Sequence, residues 1–268
     1  MVSLKPIDKK RIKKAAELLF NSKYAIVLTG AGISTESGIP DFRGDSGIWK
    51  KYKPEIYGTI ESFLNDPTKF WKMAEDIAPT LFNAKPNFGH YAIAELEKMN
   101  IIKAVITQNV DELHQKAGNI IVYEVHGNIN RLTCLGCRAS YSKEQVLKKL
   151  KKEKQLPPLC SYCGLPLKPS IVLFGENLPN FEKYMSIDLA KKADVMLIAG
   201  SSLEVAPVCD LPLYTLREGG KLIIINDEST SLDERADVII NNKIGRVLPL
   251  IVEEIKKLKA NSKIETNN

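Results

Sequence analysis

Four of the five cysteines in this 268-residue chain come as two pairs, Cys134-x-x-Cys137 and Cys160-x-x-Cys163, with 22 residues between them. Two such knuckles can present four thiolates in tetrahedral arrangement to Zn2+. No histidine and no open position remain to activate water, so the metal they imply is structural. The fifth, Cys209, lies in an apolar segment beside prolines and reads as a core residue. Of the three histidines, His90 and His114 sit in helical apolar patterns and read as packing or hydrogen-bonding groups. His126 differs, because it follows the apolar run Ile120 to Val125 and precedes Gly127. That places an imidazole at the carboxyl end of a strand, where ligands bind in open α/β sheets and where its near-neutral pKa suits a general base. A structural role competes with that reading, and spacing alone leaves both open.

A second set of residues suits a nucleotide. The run Tyr24 to Thr29 ends in Gly30-Ala31-Gly32-Ile33-Ser34-Thr35, a turn that can bring backbone N–H groups and a helix N-terminus against a pyrophosphate. It departs from the ordinary dinucleotide fingerprint twice: Thr35 stands at the third glycine position, and no strand ending in an acid follows some 20 residues later. The first strand ending in ribose-binding groups, Asn226-Asp227-Glu228, comes far downstream. Thr107-Gln108-Asn109-Val110-Asp111 can hold an amide or a ribose, or can equally cap the following helix. Gly200-Ser201-Ser202-Leu203 offers hydroxyls and N–H groups after another strand, and Ser170 to Glu176 reads as an extended run whose edge could take a peptide by strand addition.

The elements that must position these groups are legible as short, unbroken apolar runs at Tyr24 to Thr29, Ile101 to Thr107, Ile120 to Val125, Val195 to Ala199, Leu222 to Asn226 and Val238 to Ile240. Unbroken rather than alternating runs indicate a sheet covered on both faces. Helical patterns at Phe88 to Met99, Asp111 to Ala117 and Phe181 to Lys191 lie between them, and a leading helix, capped by Asp8, runs to about Phe20. The fold class is therefore α/β with a doubly wound parallel sheet. Residues 44 to about 87, with helical candidates at Tyr57 to Leu64 and Thr68 to Ala78, and residues 130 to about 170 break the rhythm and read as insertions. Residues after about Leu258 are polar and are expected to fray.

Composition narrows the class further. With 44% apolar and 26% charged residues the chain can bury a large core, which excludes disorder. Its longest uncharged apolar stretches, Tyr24 to Ile33 and Val195 to Leu203, are about half of a membrane span. The segment MVSLKPIDKKRIKK lacks the apolar stretch and cleavage site of a signal peptide, so a cytoplasmic location is expected. The net charge of +6 is peripheral: residues 1–20, 143–154 and 243–268 carry +4, +4 and +3, and the rest is net negative. No aromatics interleave these lysines for base stacking, so direct nucleic-acid recognition is not expected.

Read in order, GAGISTESGIPDFR (Gly30 to Arg43), TQNVDELH (Thr107 to His114), His126-Gly127, the two cysteine pairs, IVLFGE (Ile171 to Glu176), GSSLEVAP (Gly200 to Pro207) and IND (Ile225 to Asp227) resemble the sirtuins, the Sir2-type NAD-dependent protein deacylases, from about Ala25 to Ile251. The resemblance implies a Rossmann-like domain of residues 1–43, 96–129 and 176–258. It also implies a helical insertion with cofactor-binding loop at 44–95 and a zinc-binding module at 130–175, the insertions forming one smaller domain. NAD would be consumed rather than reduced. Gly30, Ala31, Thr35, Asp41, Phe42 and Arg43 would line its pocket, Gln108 and Asn109 would approach the ribose, and Val110 with Asp111 would hold the nicotinamide carboxamide. Gly200, Ser201, Ser202 and Asn226 would bind the adenosine half, with Ile244 an adenine contact. His126 and Asn109 would be the catalytic residues, moving the acetyl group of acetyl-lysine to ADP-ribose as nicotinamide leaves and 2'-O-acetyl-ADP-ribose forms. Val172 and Phe174 would line the acyl-lysine tunnel, and the peptide would lie between Phe174-Gly175-Glu176 and Glu204-Val205.

Family members that remove succinyl or malonyl groups carry a tyrosine and an arginine three residues apart in the helical insertion. Residues 69–82 contain neither, so neutral acyl groups are expected, acetyl first. The expected partners are acetyl-lysine proteins, chromatin and nucleic-acid-associated proteins among them, with no membrane and a monomeric chain. The alternatives are a mono-ADP-ribosyltransferase on the same scaffold and a non-catalytic zinc-containing nucleotide-binding protein.

Overall fold

The structure, a computed structural model, describes residues 6–44 and 47–265. The expectation for the leading segment falls partly outside these residues. Helix α1 (Pro6–Asn21) packs Ile12, Ala15, Ala16 and Leu19 inward. It starts at Pro6, so Asp8 is a buried first-turn residue rather than the N-cap expected. Strands β1 (Ala25–Thr29), β2 (Ile102–Thr107), β3 (Val122–Glu124), β7 (Val195–Ala199), β8 (Lys221–Ile225) and β9 (Val238–Ile240) form one parallel sheet in the order β3-β2-β1-β7-β8-β9.

Side-chain alternation divides that sheet into two buried faces. Val27, Val105, Leu197 and Ile223 face α1, α6 (Phe88–Lys98) and α11 (Ile244–Glu265). Ile26, Leu28, Ile106, Met196, Ile198 and Ile224 face α9 (Asn180–Lys192) and α10 (Leu211–Arg217). Two coverings explain why the strands read as unbroken apolar runs. The exception is the run at Ile120 to Val125, which shrinks to the edge strand β3 and leaves Ile120 87% and Ile121 45% exposed. With a neighbour on one side only, it is not buried as the run suggested. Cys209 is likewise half-buried at the margin of the second face rather than inside it. Helix α11 continues to Glu265, well past the fraying expected after Leu258. Ion pairs of Lys256 with Glu95 and of Lys257 with Glu254 lie in the turn just before Leu258.

A second, antiparallel sheet has the order β5-β4-β6, from β4 (Gly127–Cys134), β5 (Ser140–Ser142) and β6 (Leu167–Ile171). Beside it lie α8 (Lys143–Glu153) and four helices from the other insertion: α2 (Ile48–Lys51), α3 (Pro54–Tyr57), α4 (Ile60–Asn65) and α5 (Pro67–Asn83). The two insertions share one core, in which Phe63, Phe70, Trp71 and Met73 meet Leu132, Val146, Leu167 and Leu173. Trp71 Nε1–H donates to Leu167 O at 3.1 Å, which satisfies the indole inside that core. The single helix expected at Tyr57 to Leu64 is split at Gly58–Thr59. There the backbone turns aside to pair with Phe174: Phe174 N–H donates to Gly58 O and Ile60 N–H to Phe174 O, both at 2.9 Å. The edge at Ser170 to Glu176 is thus already partly used within the chain. The helix expected from Asp111 begins at α7 (Leu113–Ala117), because Glu112 is left-handed with φ 62°.

Candidate functional site

β1 and β7 are neighbours that lead the chain in opposite directions across the sheet, and their carboxyl ends form the switch point where open α/β sheets bind ligands. The two turns there touch. Gly30 N–H donates to Ala199 O and Gly32 N–H to Gly200 O. A Cβ on Gly30 would stand 2.7 Å from Gly200 O, and one on Gly32 2.8 Å from Gly200 Cα, so these glycines are required by close approach. The chain continues as a single 3-10 helix, Ala31–Ser37, in place of the long helix of an ordinary dinucleotide fold.

Above this point opens a cavity of about 1460 Å3, larger than the roughly 300–1,000 Å3 of common small-molecule sites. It gathers nearly every residue singled out in the sequence. Gly30, Ala31, Thr35, Asp41, Phe42 and Arg43 line it from the β1 turn; Gln108, Asn109, Val110 and Asp111 from the β2 turn; and His126 from the end of β3. Gly200, Ser201, Ser202 and Val205 follow β7, Asn226 follows β8, Ile244 opens α11, and Val172, Phe174, Gly175 and Glu176 form the opposite wall. Glu204 is absent from the wall and instead forms a half-exposed ion pair with Arg43, Nε to Oε2 3.2 Å.

Inside the cavity the amide and carboxyl groups are already oriented. Asn109 Nδ2–H donates to Gly30 O and to Ser34 Oγ, both at 3.1 Å, and the Ser34 hydroxyl donates to Asp111 Oδ2 at 2.6 Å. Asp111 Oδ1 accepts Leu113 N–H, the first amide of α7, at 2.9 Å, and the residue also lines the cavity, while the N-cap itself, Glu112, makes no side-chain cap bond. Burial raises the Asp111 pKa, against the bonds from Ser34 and Leu113. Gln108 Nε2–H donates to Ser201 Oγ at 2.9 Å, tying the β2 turn to the β7 turn. Ser34, the hub of this cluster, is the residue that sequence reasoning missed; its only signal was a hydroxyl inside the glycine turn. Trp49 was missed as well. It stands between Phe42 (centroids 5.2 Å) and Phe174 (6.1 Å) and extends an aromatic row along the wall.

His126 Nδ1 lies 3.1 Å from Gln108 O. A carbonyl can only accept, so Nδ1 carries the hydrogen and Nε2 keeps a lone pair for a proton at the cavity. Burial lowers the His126 pKa, partly offset by the Gln108 bond, so the ring is neutral near pH 7. The main-chain carbonyl of His126 accepts Val172 N–H at 2.8 Å, which ties the backbone at His126 to the opposite wall. Gly127 must be glycine: φ is 74°, and a Cβ would stand 1.9 Å from Ser170 O. Glu176 turns its carboxylate onto buried Lys168 (2.8 Å) and Leu173 N–H (2.8 Å), bracing the wall from behind. His90 and His114 are buried, as their helical settings suggested, and burial drives their pKa values down to about 4 and about 3.

Away from the cavity, the sulfurs of Cys134, Cys137, Cys160 and Cys163 all lie within 4.8 Å of one another. Cys134 Sγ is 3.3 Å from Cys163 Sγ and Cys137 Sγ is 3.5 Å from Cys160 Sγ. A ZnS4 tetrahedron has edges of about 3.8 Å, so donor type, number and spacing fit a structural zinc ion. Tyr141 Oη, 3.2 Å from Cys160 Sγ, supports the cluster from outside. Among the described residues no helix is long and apolar enough to cross a membrane.

The model of the Sir2 family matches residues 30–207. An NAD-dependent protein deacetylase of Sulfurisphaera tokodaii is 49% identical over 91% of this chain and 95% of its own length. NAD-dependent protein deacylase 2 of Archaeoglobus fulgidus is 48% identical over 93% of this chain and 98% of its own. Among solved structures, one described under the structural basis for the mechanism and regulation of Sir2 enzymes superposes with a TM-score of 0.89 at 47% identity, covering 93% of this chain and 99% of that one. A Sir2 protein holding a deacetylated p53 peptide and 3'-O-acetyl ADP ribose gives a TM-score of 0.87 at 43% identity, with 91% and 98% covered.

Proposed function

Because the chain belongs to the Sir2 family, we infer that it is an NAD-dependent protein-lysine deacetylase, which moves the acetyl group of acetyl-lysine to ADP-ribose and releases nicotinamide. The observation that carries the reading of the site is the meeting of His126, Asn109 and Val172 in one cavity, with His126 held in the tautomer that leaves Nε2 free. NAD supplies the anomeric carbon that nicotinamide leaves and the ribose hydroxyl that receives the acetyl group. In our reading Gly30, Ala31, Thr35, Asp41, Phe42 and Arg43 hold its pyrophosphate side. Gly200, Ser201, Ser202, Asn226 and Ile244 hold the adenosine, and Val110 with Asp111 hold the carboxamide.

Gln108 and Asn109 orient the ribose, and His126 Nε2 takes the proton from a ribose hydroxyl as its oxygen bonds the acetyl carbon; the bond from that carbon to the lysine nitrogen breaks, the lysine leaves as its amine, and one water supplies the remaining oxygen of 2'-O-acetyl-ADP-ribose. Val172 and Phe174 enclose the acetyl-lysine side chain and exclude water, while Gly175, Glu176, Glu204 and Val205 flank the peptide. A positively charged carbon develops in such a reaction, so a dry and well-oriented site serves better than a strong acid. The four cysteines hold zinc as a staple for the smaller sheet, which keeps the Val172–Glu176 wall in place. The enzyme acts as a cytoplasmic monomer on acetyl-lysine proteins, chromatin and nucleic-acid-associated proteins among them, drawn by its basic periphery.

The test is stoichiometry with an acetyl-lysine peptide. One nicotinamide should appear for each lysine uncovered, and no reduced cofactor should form. Radiolabel passing from NAD to protein without deacetylation would favour an ADP-ribosyltransferase instead.

A further inference from the structure

Beneath the ribose-facing turn runs a chain of buried polar groups that the reaction described above leaves unused. Thr29 and Thr107 are register partners at the ends of β1 and β2, and their hydroxyl oxygens are 2.8 Å apart. On the cavity side, Asn109 N–H donates to Thr107 Oγ1 at 3.1 Å. On the inner side, His114 Nε2 lies 2.9 Å from Thr29 Oγ1. Thr29, Thr107 and His114 are 0%, 2% and 1% exposed, so each hydrogen needs a partner within the protein.

His114 closes the inner end of the chain. His114 Nδ1 and Asn119 Oδ1 are both sealed from solvent and neither has a hydrogen-bond partner. Asn119 N–H donates to His114 O at 3.0 Å, and the Asn119 side chain raises the affinity of the ring for a proton. The Thr29 hydroxyl donates to Thr107 Oγ1, which also accepts Asn109 N–H, and His114 Nε2 closes the chain on Thr29 Oγ1. Asn119 is itself anchored, its Nδ2–H donating to Glu97 Oε2 at 2.7 Å. Burial, reinforced by His90 with its ring centroid 5.0 Å away, keeps His114 neutral against the Asn119 bond.

We propose that His114 is a positioning residue for the transfer reaction: through Thr29 and Thr107 it fixes the main-chain amide of Asn109, and with it the reach of Asn109 to Gly30 and Ser34. This rests on the reading of Asn109 as a ribose-orienting, catalytic group.

The test pairs spectroscopy with kinetics on the full-length enzyme. Amide exchange, read by NMR, reports how firmly Asn109 N–H is held. Thr29→Val, which keeps the shape and removes the hydroxyl, speeds Asn109 exchange and lowers kcat about tenfold, with the peptide KM within about twofold of wild type. Thr29→Ser restores kcat to within about twofold, and adding His114→Leu to Thr29→Val costs no further factor, because the chain is already cut. Unchanged Asn109 exchange in Thr29→Val overturns the proposal. Faster exchange at full kcat leaves the anchor standing but overturns its purpose in the reaction, and Asn109→Ala at full kcat would place that failure in the ribose assignment itself.

Discussion

The six-stranded sheet and the three-stranded sheet hold themselves together by different means. The larger one buries side chains on both faces, from Val27 and Leu197 on one to Leu28 and Ile198 on the other. On that base its carboxyl edge tolerates a dense set of buried polar groups: Thr29, Ser34, Thr107, Asn109, Asp111 and His114. The smaller one gathers its core from two insertions far apart in the chain, around Phe63, Phe70, Trp71 and Leu132, and closes one end with four thiols. Chemistry is concentrated where apolar burial is in surplus, and a metal is called for where burial is thin. Damage to the cysteine cluster should therefore appear first as lost stability, and damage at the sheet's edge as lost rate.

The largest effect expected on the first side of that comparison is from Cys134→Ser. Since structural zinc contributes folding energy directly, the substitution lowers Tm by on the order of 10 °C and activity falls with it. An unchanged melting curve with one zinc still bound would break the contrast between the two sheets.

Acid probes the other side. His90 and His114 have folded pKa values of about 4 and about 3, below the unfolded value near 6.5. Above pH 6.5 they do not affect stability. As pH falls below that, the unfolded chain takes up protons that the folded chain refuses, and stability is lost until the folded values are reached. Urea titrations at pH 7 and pH 5 should differ by on the order of 2 kcal/mol for each histidine. Asp111 and Glu124, which burial raises, offset part of this loss as the pH approaches the carboxylate range.

The smallest effect is expected at the mouth of the cavity, where both members of the Arg43–Glu204 pair are about half exposed. Glu204→Gln should change stability by less than about 1 kcal/mol in the same urea titration. A larger loss would mean that the two turns depend on this contact rather than on their glycines.

Much of this division was legible in the sequence because its signals were local. Buried strands announced themselves as unbroken apolar runs, and the spacing of four cysteines gave the metal cluster. What stayed hidden depended on neighbours far along the chain. Ile120 and Ile121 look like core until the sheet order makes β3 an edge. The split at Gly58–Thr59 follows from pairing with Phe174, and nothing nearby in sequence indicates it. Ser34 becomes a hub only once β2 brings Asn109 and Asp111 beside it. His114 was read as structural in setting, and it is buried, yet its link through Thr29 and Thr107 to the turn after β2 needed the register of β1 and β2.

The central claim, that His126 is the base and does not hold the fold together, is met most directly by the steady-state kinetics of His126→Ala on an acetyl-lysine peptide, with Tm measured on the same preparation. Its Nδ1 makes one hydrogen bond, to Gln108 O, so Tm should stay within about 4 °C of wild type. The rate of deacetylation should fall by about 10²–10⁴-fold. Activity retained within about twofold in a well-folded variant would contradict the assignment.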